Sequence, residues 1–284
     1  MNQASDPVSI KQLLEQATDL LNTESARLDA EVLLAHVLQQ PRSHLHAWPD
    51  KRLPDESREH FRQLLQCRLK GEPVAYLTGE REFWSLPLAV TANTLIPRPE
   101  TETLVAQALQ RIPAGRSQLI ADLGTGSGAI ALAIARERPR CRIIATDIAA
   151  AAIETARHNA RQLGIHSITF HTGNWCEPLD GLQLDMIVSN PPYIAETDPH
   201  LLAGDVRFEP RSALAAGPQG MDELRRIAHC AASHLQPGGW LLMEHGYDQG
   251  GLARQLLEGT GFTEVIDHTD DTGQDRVIAG RRGP

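Results

Sequence analysis

The sequence predicts an α/β fold, a doubly wound and mostly parallel seven-stranded sheet preceded by a small N-terminal helical bundle. Three observations carry this expectation. After Pro113, short apolar runs alternate with stretches of helical period, the pattern of βαβ units and so of parallel strands. The first of those runs leads into a glycine-rich turn, Asp122-Leu123-Gly124-Thr125-Gly126-Ser127-Gly128, that opens a helix. Upstream, from residue 10 to about residue 70, apolar residues recur at helical spacing instead.

In chain order, Leu13, Leu14, Ala17, Leu20 and Leu21, then Leu28, Val32 and Leu33, then Phe61, Leu64, Leu65 and Leu69 mark helices. Pro41, Pro49, Pro54 and Gly71-Glu72-Pro73 divide them, giving a bundle over residues 1–75. Lys51, Arg52, Arg58, Arg62, Arg68 and Lys70 interleave with Asp55, Glu56 and Glu59, the composition of a solvated helix face. Residues 76–100 hold short alternating stretches around a Pro-bearing turn, a hairpin or linker bridging two domains. A helix is expected over 101–109, where Pro97, Pro99, Glu100 and Glu102 supply the proline and acids that helix starts prefer. Strands then follow at 119–121, 141–146, 168–170, 186–189, 240–244, 262–268 and 276–280, with helices at 130–136, 149–163, 221–235 and 252–258. The second domain is therefore 101–284.

Composition narrows the function classes. Hydrophobic residues make up 41% and charged residues 22% of 284, as in a folded globular chain. No segment approaches the roughly 18 to 20 uninterrupted apolar residues of a membrane span. Residues 1–11 lack the basic start and apolar block of a secretory signal, so a cytoplasmic location is expected. The net charge of −9 weighs against direct binding to a nucleic-acid backbone. Cys67, Cys141, Cys176 and Cys230 are dispersed, without a Cys-x-x-Cys pair, and are expected as free thiols. His44 and His46 have no carboxylate or thiol partners nearby and suit a surface turn; no metal site is expected.

Two constellations carry chemistry. Asn190-Pro191-Pro192-Tyr193 follows the apolar run Met186-Ile187-Val188, at the carboxyl end of an expected strand, where ligands of open α/β sheets bind. The prolines cannot donate backbone hydrogen bonds, so carbonyl oxygens point outward beside the Asn190 side chain and the Tyr193 ring. Two acceptors and an aromatic face suit a planar NH2 group; a strand-ending turn with a packed tyrosine is the plainer alternative. The glycine turn with Asp147, roughly 20 residues on, suits the ribose of an adenosine cofactor, NAD and S-adenosylmethionine alike. Three features favour the methyl donor. Asp122 suits a ligand's ammonium and would repel a pyrophosphate; Gly173-Asn174-Trp175 offers an amide edge and an indole face for adenine; and no hydride-transfer partner is evident.

Together these residues resemble class I S-adenosylmethionine-dependent methyltransferases acting on planar nitrogens. With residues 95–102 (LIPRPETE), 204–210 (GDVRFEP) and 242–246 (LMEHG), the chain is similar, over nearly its whole length, to the bacterial peptide chain release factor glutamine methyltransferase family. The resemblance implies the class I fold, S-adenosyl-L-methionine as cofactor, release factors as partners, and methylation of the glutamine amide nitrogen (N5) in their Gly-Gly-Gln motif. It assigns cofactor contacts to Asp122, Gly124, Thr125, Gly126, Ser127, Gly128, Asp147, Asn174, Trp175 and Asn190. Substrate contacts fall to Asn190, Pro191, Pro192 and Tyr193. Asn190 Oδ1 and the Pro191 carbonyl would accept the two amide hydrogens, with Tyr193 packed on the amide plane, which makes Asn190, Pro191 and Tyr193 the catalytic set. Members often carry Asp where this chain has Asn174. The N-terminal bundle is expected to help dock the protein substrate. The alternative activity is methylation of a nucleobase amino group, adenine N6 or guanine N2.

Overall fold

The computed structural model describes residues 8–21 and 23–284. Residues 1–7, most of the stretch 1–11 that lacks the pattern of a secretory signal, lie outside the described residues. The chain divides into two compact units, Met1–Gly79 and Glu80–Pro284.

The first unit is helical: α1 (Ile10–Leu20), α2 (Ala26–Leu38), α3 (Arg42–Ala47), α4 (Asp55–Leu69) and α5 (Val74–Thr78). A capping box starts α1, with Ser9 Oγ accepting from Gln12 N at 3.3 Å and Ser9 N donating to Gln12 Oε1 at 3.0 Å. Pro41, Pro54 and Pro73 are the residues at the entries to α3, α4 and α5, so these breakers also fix helix starts. Leu14, Leu33, Leu34, Leu45, Phe61 and Leu65 fill the core. The solvated-face expectation is corrected at two positions: Arg58 and Arg68 are buried, and Arg68 Nε donates to the buried Asp29 carboxylate at 2.8 Å. Residues 74–78 are helical, where alternation had suggested an extended segment from residue 76.

The second unit opens with a two-stranded antiparallel hairpin, β1 (Glu80–Phe83) and β2 (Leu86–Ala89), separate from the main sheet. Trp84 and Ser85 form its turn with φ of 51° and 57°, the left-handed pair of a type I′ hairpin turn. Composition had set residues 76–100 apart as a bridge, but Phe83, Leu86 and Leu88 are buried in the core of this unit.

After a single 3-10 turn, Pro99–Thr101, come α6 (Glu102–Arg111), β3 (Leu119–Leu123), α7 (Ala129–Glu137), β4 (Arg142–Asp147), α8 (Ala150–Gln162), β5 (Ile168–Thr172) and β6 (Leu184–Ser189). Then follow α9 (Asp222–His234), β7 (Leu235–Glu244), α10 (Gly250–Gly259), β8 (Phe262–Thr269) and β9 (Asp275–Arg282). The sheet order is β5-β4-β3-β6-β7-β9-β8, parallel except for the pairs made by β9. Side chains alternate between two cores, Met186, Val188 and Leu242 on one face against Ile187, Leu241 and Met243 on the other. β7 begins earlier than the sequence suggested: Leu235 already pairs with Leu184, and residues 236–239 form an irregularity before Trp240 pairs with Met186. A Cβ on Gly239 would sit 3.0 to 3.1 Å from three backbone carbonyl oxygens, so a side chain there would have to push that backbone away by a few tenths of an ångström.

From β3 the chain runs outward through β4 to β5, then returns to add β6 on the other side of β3. The carboxyl ends of β3 and β6 are thus the topological switch point, where a crevice opens in folds of this kind. The free-thiol expectation is corrected for one pair. Cys176 and Cys230, 54 residues apart, meet with Cα atoms 6.1 Å apart and form a disulfide, while Cys67 and Cys141 are free. Among the described residues no helix is long and apolar enough to cross a membrane.

Candidate active site

A cavity of about 350 Å³ lies at this switch point. β3 delivers one wall. Beyond Leu123, Gly124, Gly126 and Gly128 take φ of 71°, 57° and 87°, which side chains with a Cβ rarely adopt. The backbone amides of Gly124 and Thr125 both donate to the Thr146 carbonyl at 2.9 Å, tying the loop to the end of β4. A Cβ on Gly124 would fall 3.0 Å from the Trp175 indole, so the ring lies against this glycine.

Asp147 ends β4 and lines the cavity. Its Oδ2 accepts from Gly126 N and its Oδ1 from Ala149 N, both at 2.9 Å, which leaves lone pairs on both oxygens for a ligand's hydroxyls. Burial raises its pKa, against the lowering effect of those two backbone donors. Trp175 also lines the cavity, with a left-handed φ of 45°, its Nε1 donating to Glu223 Oε2 at 2.7 Å. Asn174 is exposed on the same rim, its backbone amide held by Glu177 at 3.1 Å. A glycine cradle, a carboxylate for vicinal hydroxyls and an indole face are a donor set that fits an adenosine-bearing cofactor.

Asp122 has a different position from the one its sequence context suggested. It is fully buried behind the loop and does not line the cavity. Its Oδ2 accepts from Thr125 Oγ1 at 2.6 Å and Ala131 N at 3.2 Å, while its Oδ1 has no hydrogen-bond partner. Burial above all, with the nearby Asp147 charge, pushes its pKa up to about 7. Asp122 therefore shapes the loop from beneath.

The opposite wall is the turn after β6. Asn190 is half-buried and lines the cavity with Pro192, whereas Pro191 and Tyr193 do not. Asn190 Nδ2 donates to Thr101 Oγ1 at 3.0 Å. Tyr193 turns its hydroxyl to Glu244 Oε1 at 3.1 Å and packs among the residues of the second core, so the expected stacking of its ring on a substrate amide has no counterpart in the cavity lining. Burial, and then the Glu244 charge, drive its pKa upward, so the phenol keeps its proton.

Of the thirteen residues singled out from sequence, Gly124, Thr125, Gly126, Ser127, Asp147, Asn174, Trp175, Asn190 and Pro192 come together in the lining; Asp122, Gly128, Pro191 and Tyr193 do not. Several residues carry the site without having been given a role. Glu209 accepts from Ile96 N at 3.0 Å and pairs with Arg98, clamping residues 95–98 to the segment before Pro210 at the cavity mouth. Asn159 is buried, donating to Ser127 O at 2.9 Å and Ala89 O at 3.0 Å and accepting from Ala89 N at 2.8 Å. Thr101, itself in the cavity lining, holds Asn190, and Glu244 stands behind Thr101. The sequence signal for Glu244 was a carboxylate closing the apolar run 240–243, a buried charge at the ligand edge of the sheet.

Two family models match the chain, the PrmC N-terminal domain over residues 12–79 and the methyltransferase small domain over residues 101–207. The release factor glutamine methyltransferase of Xylella fastidiosa (strain Temecula1) is 51% identical over 269 residues, covering 95% of this chain and 96% of its own. That of Vibrio cholerae is 50% identical over 278 residues, covering 96% and 97%. Among solved structures, a methyltransferase from Pyrococcus furiosus shares the fold with a TM-score of 0.53 at 17% identity, over 77% of this chain and 98% of its own.

Proposed function

This chain belongs to the release factor glutamine methyltransferase family, and we propose that it binds S-adenosyl-L-methionine in the switch-point cavity and methylates the glutamine of the release factor Gly-Gly-Gln motif. The cofactor, when bound, supplies a methyl group on a positively charged sulfur. In this reading the Asp147 carboxylate takes the ribose hydroxyls, the Gly124–Gly128 loop lets backbone approach the ligand closely, and Trp175 covers the adenine. Asn174, exposed on the rim, supplies a side-chain carbonyl to the adenine amino group.

The acceptor is a carboxamide, whose nitrogen lone pair is delocalised into its carbonyl. What the chain must provide is orientation. The observation that carries this reading is Asn190: its Nδ2 is taken by Thr101 Oγ1, which leaves Oδ1 to accept a hydrogen from the substrate NH2. The Pro191 carbonyl remains the second acceptor that the Asn-Pro-Pro-Tyr pattern implies, although Pro191 itself lies outside the cavity lining. Accepting a hydrogen of the amide orients its nitrogen for transfer and favours the positive charge that develops on it. The apolar surroundings of Pro192 and Pro97 exclude water, and no strong base is needed before transfer.

Asn190→Ala is expected to lower kcat by roughly 10²- to 10³-fold while S-adenosyl-L-methionine still binds in a calorimeter. Wild-type turnover in this variant would sink the assignment. The N-terminal bundle is proposed to dock the release factor, a role its separate core leaves free of the methyl-transfer chemistry.

A further inference from the structure

We propose that Glu244, acting through Thr101, determines which way the Asn190 side-chain amide points and so serves as a positioning residue for methyl transfer. The inference rests on the reading of Asn190 as the holder of the substrate amide. Glu244 is the last residue of β7 and is 1% exposed; Thr101 ends the 3-10 turn before α6 and is 4% exposed. Nothing in the local sequence joins them, since 143 residues separate them, yet Thr101 Oγ1 donates to Glu244 Oε2 at 2.7 Å. The other oxygen, Oε1, accepts the Tyr193 hydroxyl at 3.1 Å. One hydroxyl donor on each oxygen is the arrangement of a carboxylate; burial raises the Glu244 pKa, and the two hydroxyl donors and then the Arg276 guanidinium work against that rise in favour of the charged form.

The consequence follows from counting hydrogens. A carboxylate has none to give and a threonine hydroxyl has one. With that hydrogen committed to Glu244, Thr101 Oγ1 can only accept from Asn190. The amide must then turn its NH2 toward Thr101, because its oxygen there would set acceptor against acceptor. Oδ1 is thereby directed away from Thr101, free for the substrate. If position 244 could donate, the Thr101 hydroxyl could rotate to give its hydrogen to Asn190 Oδ1. The amide would then flip and meet the substrate NH2 with its own NH2, donor against donor. An acceptor-only residue two hydrogen bonds away thus sets the polarity of the whole row, from Tyr193 and Thr101 to Asn190.

The test is steady-state methylation of intact release factor by wild type, Thr101→Val, Thr101→Ser, Glu244→Gln, the Thr101→Val/Glu244→Gln double variant and Asn190→Ala. Calorimetric S-adenosyl-L-methionine affinity and thermal midpoints are measured alongside. Thr101→Val and Glu244→Gln are each expected to lower kcat by roughly 10- to 100-fold, with KM for the release factor and cofactor affinity within about 2-fold of wild type. Thr101→Ser, which keeps the hydroxyl, recovers kcat to within about 3-fold, and the double variant is no slower than the slower single one, as expected of residues acting in one row. Wild-type kcat in Thr101→Val with Asn190→Ala impaired would overturn the positioning role and leave the Asn190 reading standing. Wild-type kcat in both would overturn that reading itself. Losses that track cofactor affinity or thermal midpoint, that add in the double variant, or that persist in Thr101→Ser would reduce Glu244 and Thr101 to structural support. Should Glu244→Gln fail to fold, the Thr101 pair alone decides.

Discussion

Asp122 has a strongly displaced carboxyl beneath the glycine loop, and its titration gives a test at a single residue. Its ordinary pKa of 3.8 is pushed up to about 7 by burial. Across that window the folded chain holds a proton that the unfolded chain has lost. Its contribution to stability is therefore full below about pH 3.8 and declines as pH rises toward 7. Comparing thermal midpoints of wild type and Asp122→Asn across this range isolates the effect: wild type is expected to lose stability relative to the variant as pH rises, and a pH-independent difference would refute it. Gly124→Ala is expected to weaken S-adenosyl-L-methionine binding, because the residue holds φ at 71° and the new methyl would meet the Trp175 ring at 3.0 Å. Calorimetry on that variant checks it, and unchanged affinity would contradict it. Residue identity was legible in the sequence here, but side-chain direction was not. Asp122 was recognised as an acid at the glycine loop, yet whether it faces the ligand or the loop's underside depends on a backbone turn that composition does not encode.

The elements were legible where period and breakers agree. The strand–glycine loop–helix passage from β3 to α7 and the end of β6 at Asn190 followed from apolar runs meeting glycine or proline. Elements escaped where the chain uses residues against their usual habit. The β1–β2 turn is Trp84-Ser85 in left-handed conformation with neither Gly nor Asn, and β7 runs through Pro237-Gly238-Gly239. Asn159, within α8, shows why helix period alone misses function: its buried amide joins β2 to the glycine loop through three hydrogen bonds. Asn159→Ala would leave those backbone groups of Ala89 and Ser127 unpaired, a cost of about 1–3 kcal/mol for each group that remains buried. Chemical denaturation is expected to register a loss of at least about 2 kcal/mol on that basis, and a loss below about 0.5 kcal/mol would contradict the bridging role.

At the scale of the molecule, the sheet order brings β3, β4 and β6 side by side, so that a loop near residue 125, a carboxylate at 147 and an amide at 190 share one edge. Pattern in the sequence predicted that edge; the Thr101–Glu244 contact and the Cys176–Cys230 bond depend on three-dimensional pairing across 143 and 54 residues and left no local trace. The helical unit has a core of its own, and its proposed docking role predicts a split between substrates. Residues 80–284 alone are expected to keep activity on a short Gly-Gly-Gln peptide and to lose kcat/KM on intact release factor by at least about 10-fold, since lost binding surface acts on the larger partner alone. Equal losses on both substrates would count against docking. On this reading the Asn190 turn presents a release factor glutamine amide for methylation. Fragment mass spectrometry of release factor incubated with S-adenosyl-L-methionine and either wild type or Asn190→Ala decides this. One methyl on the Gly-Gly-Gln glutamine with wild type, and almost none in the same time with the variant, is the expected result; a methyl on another residue, or equal transfer by both proteins, would contradict it.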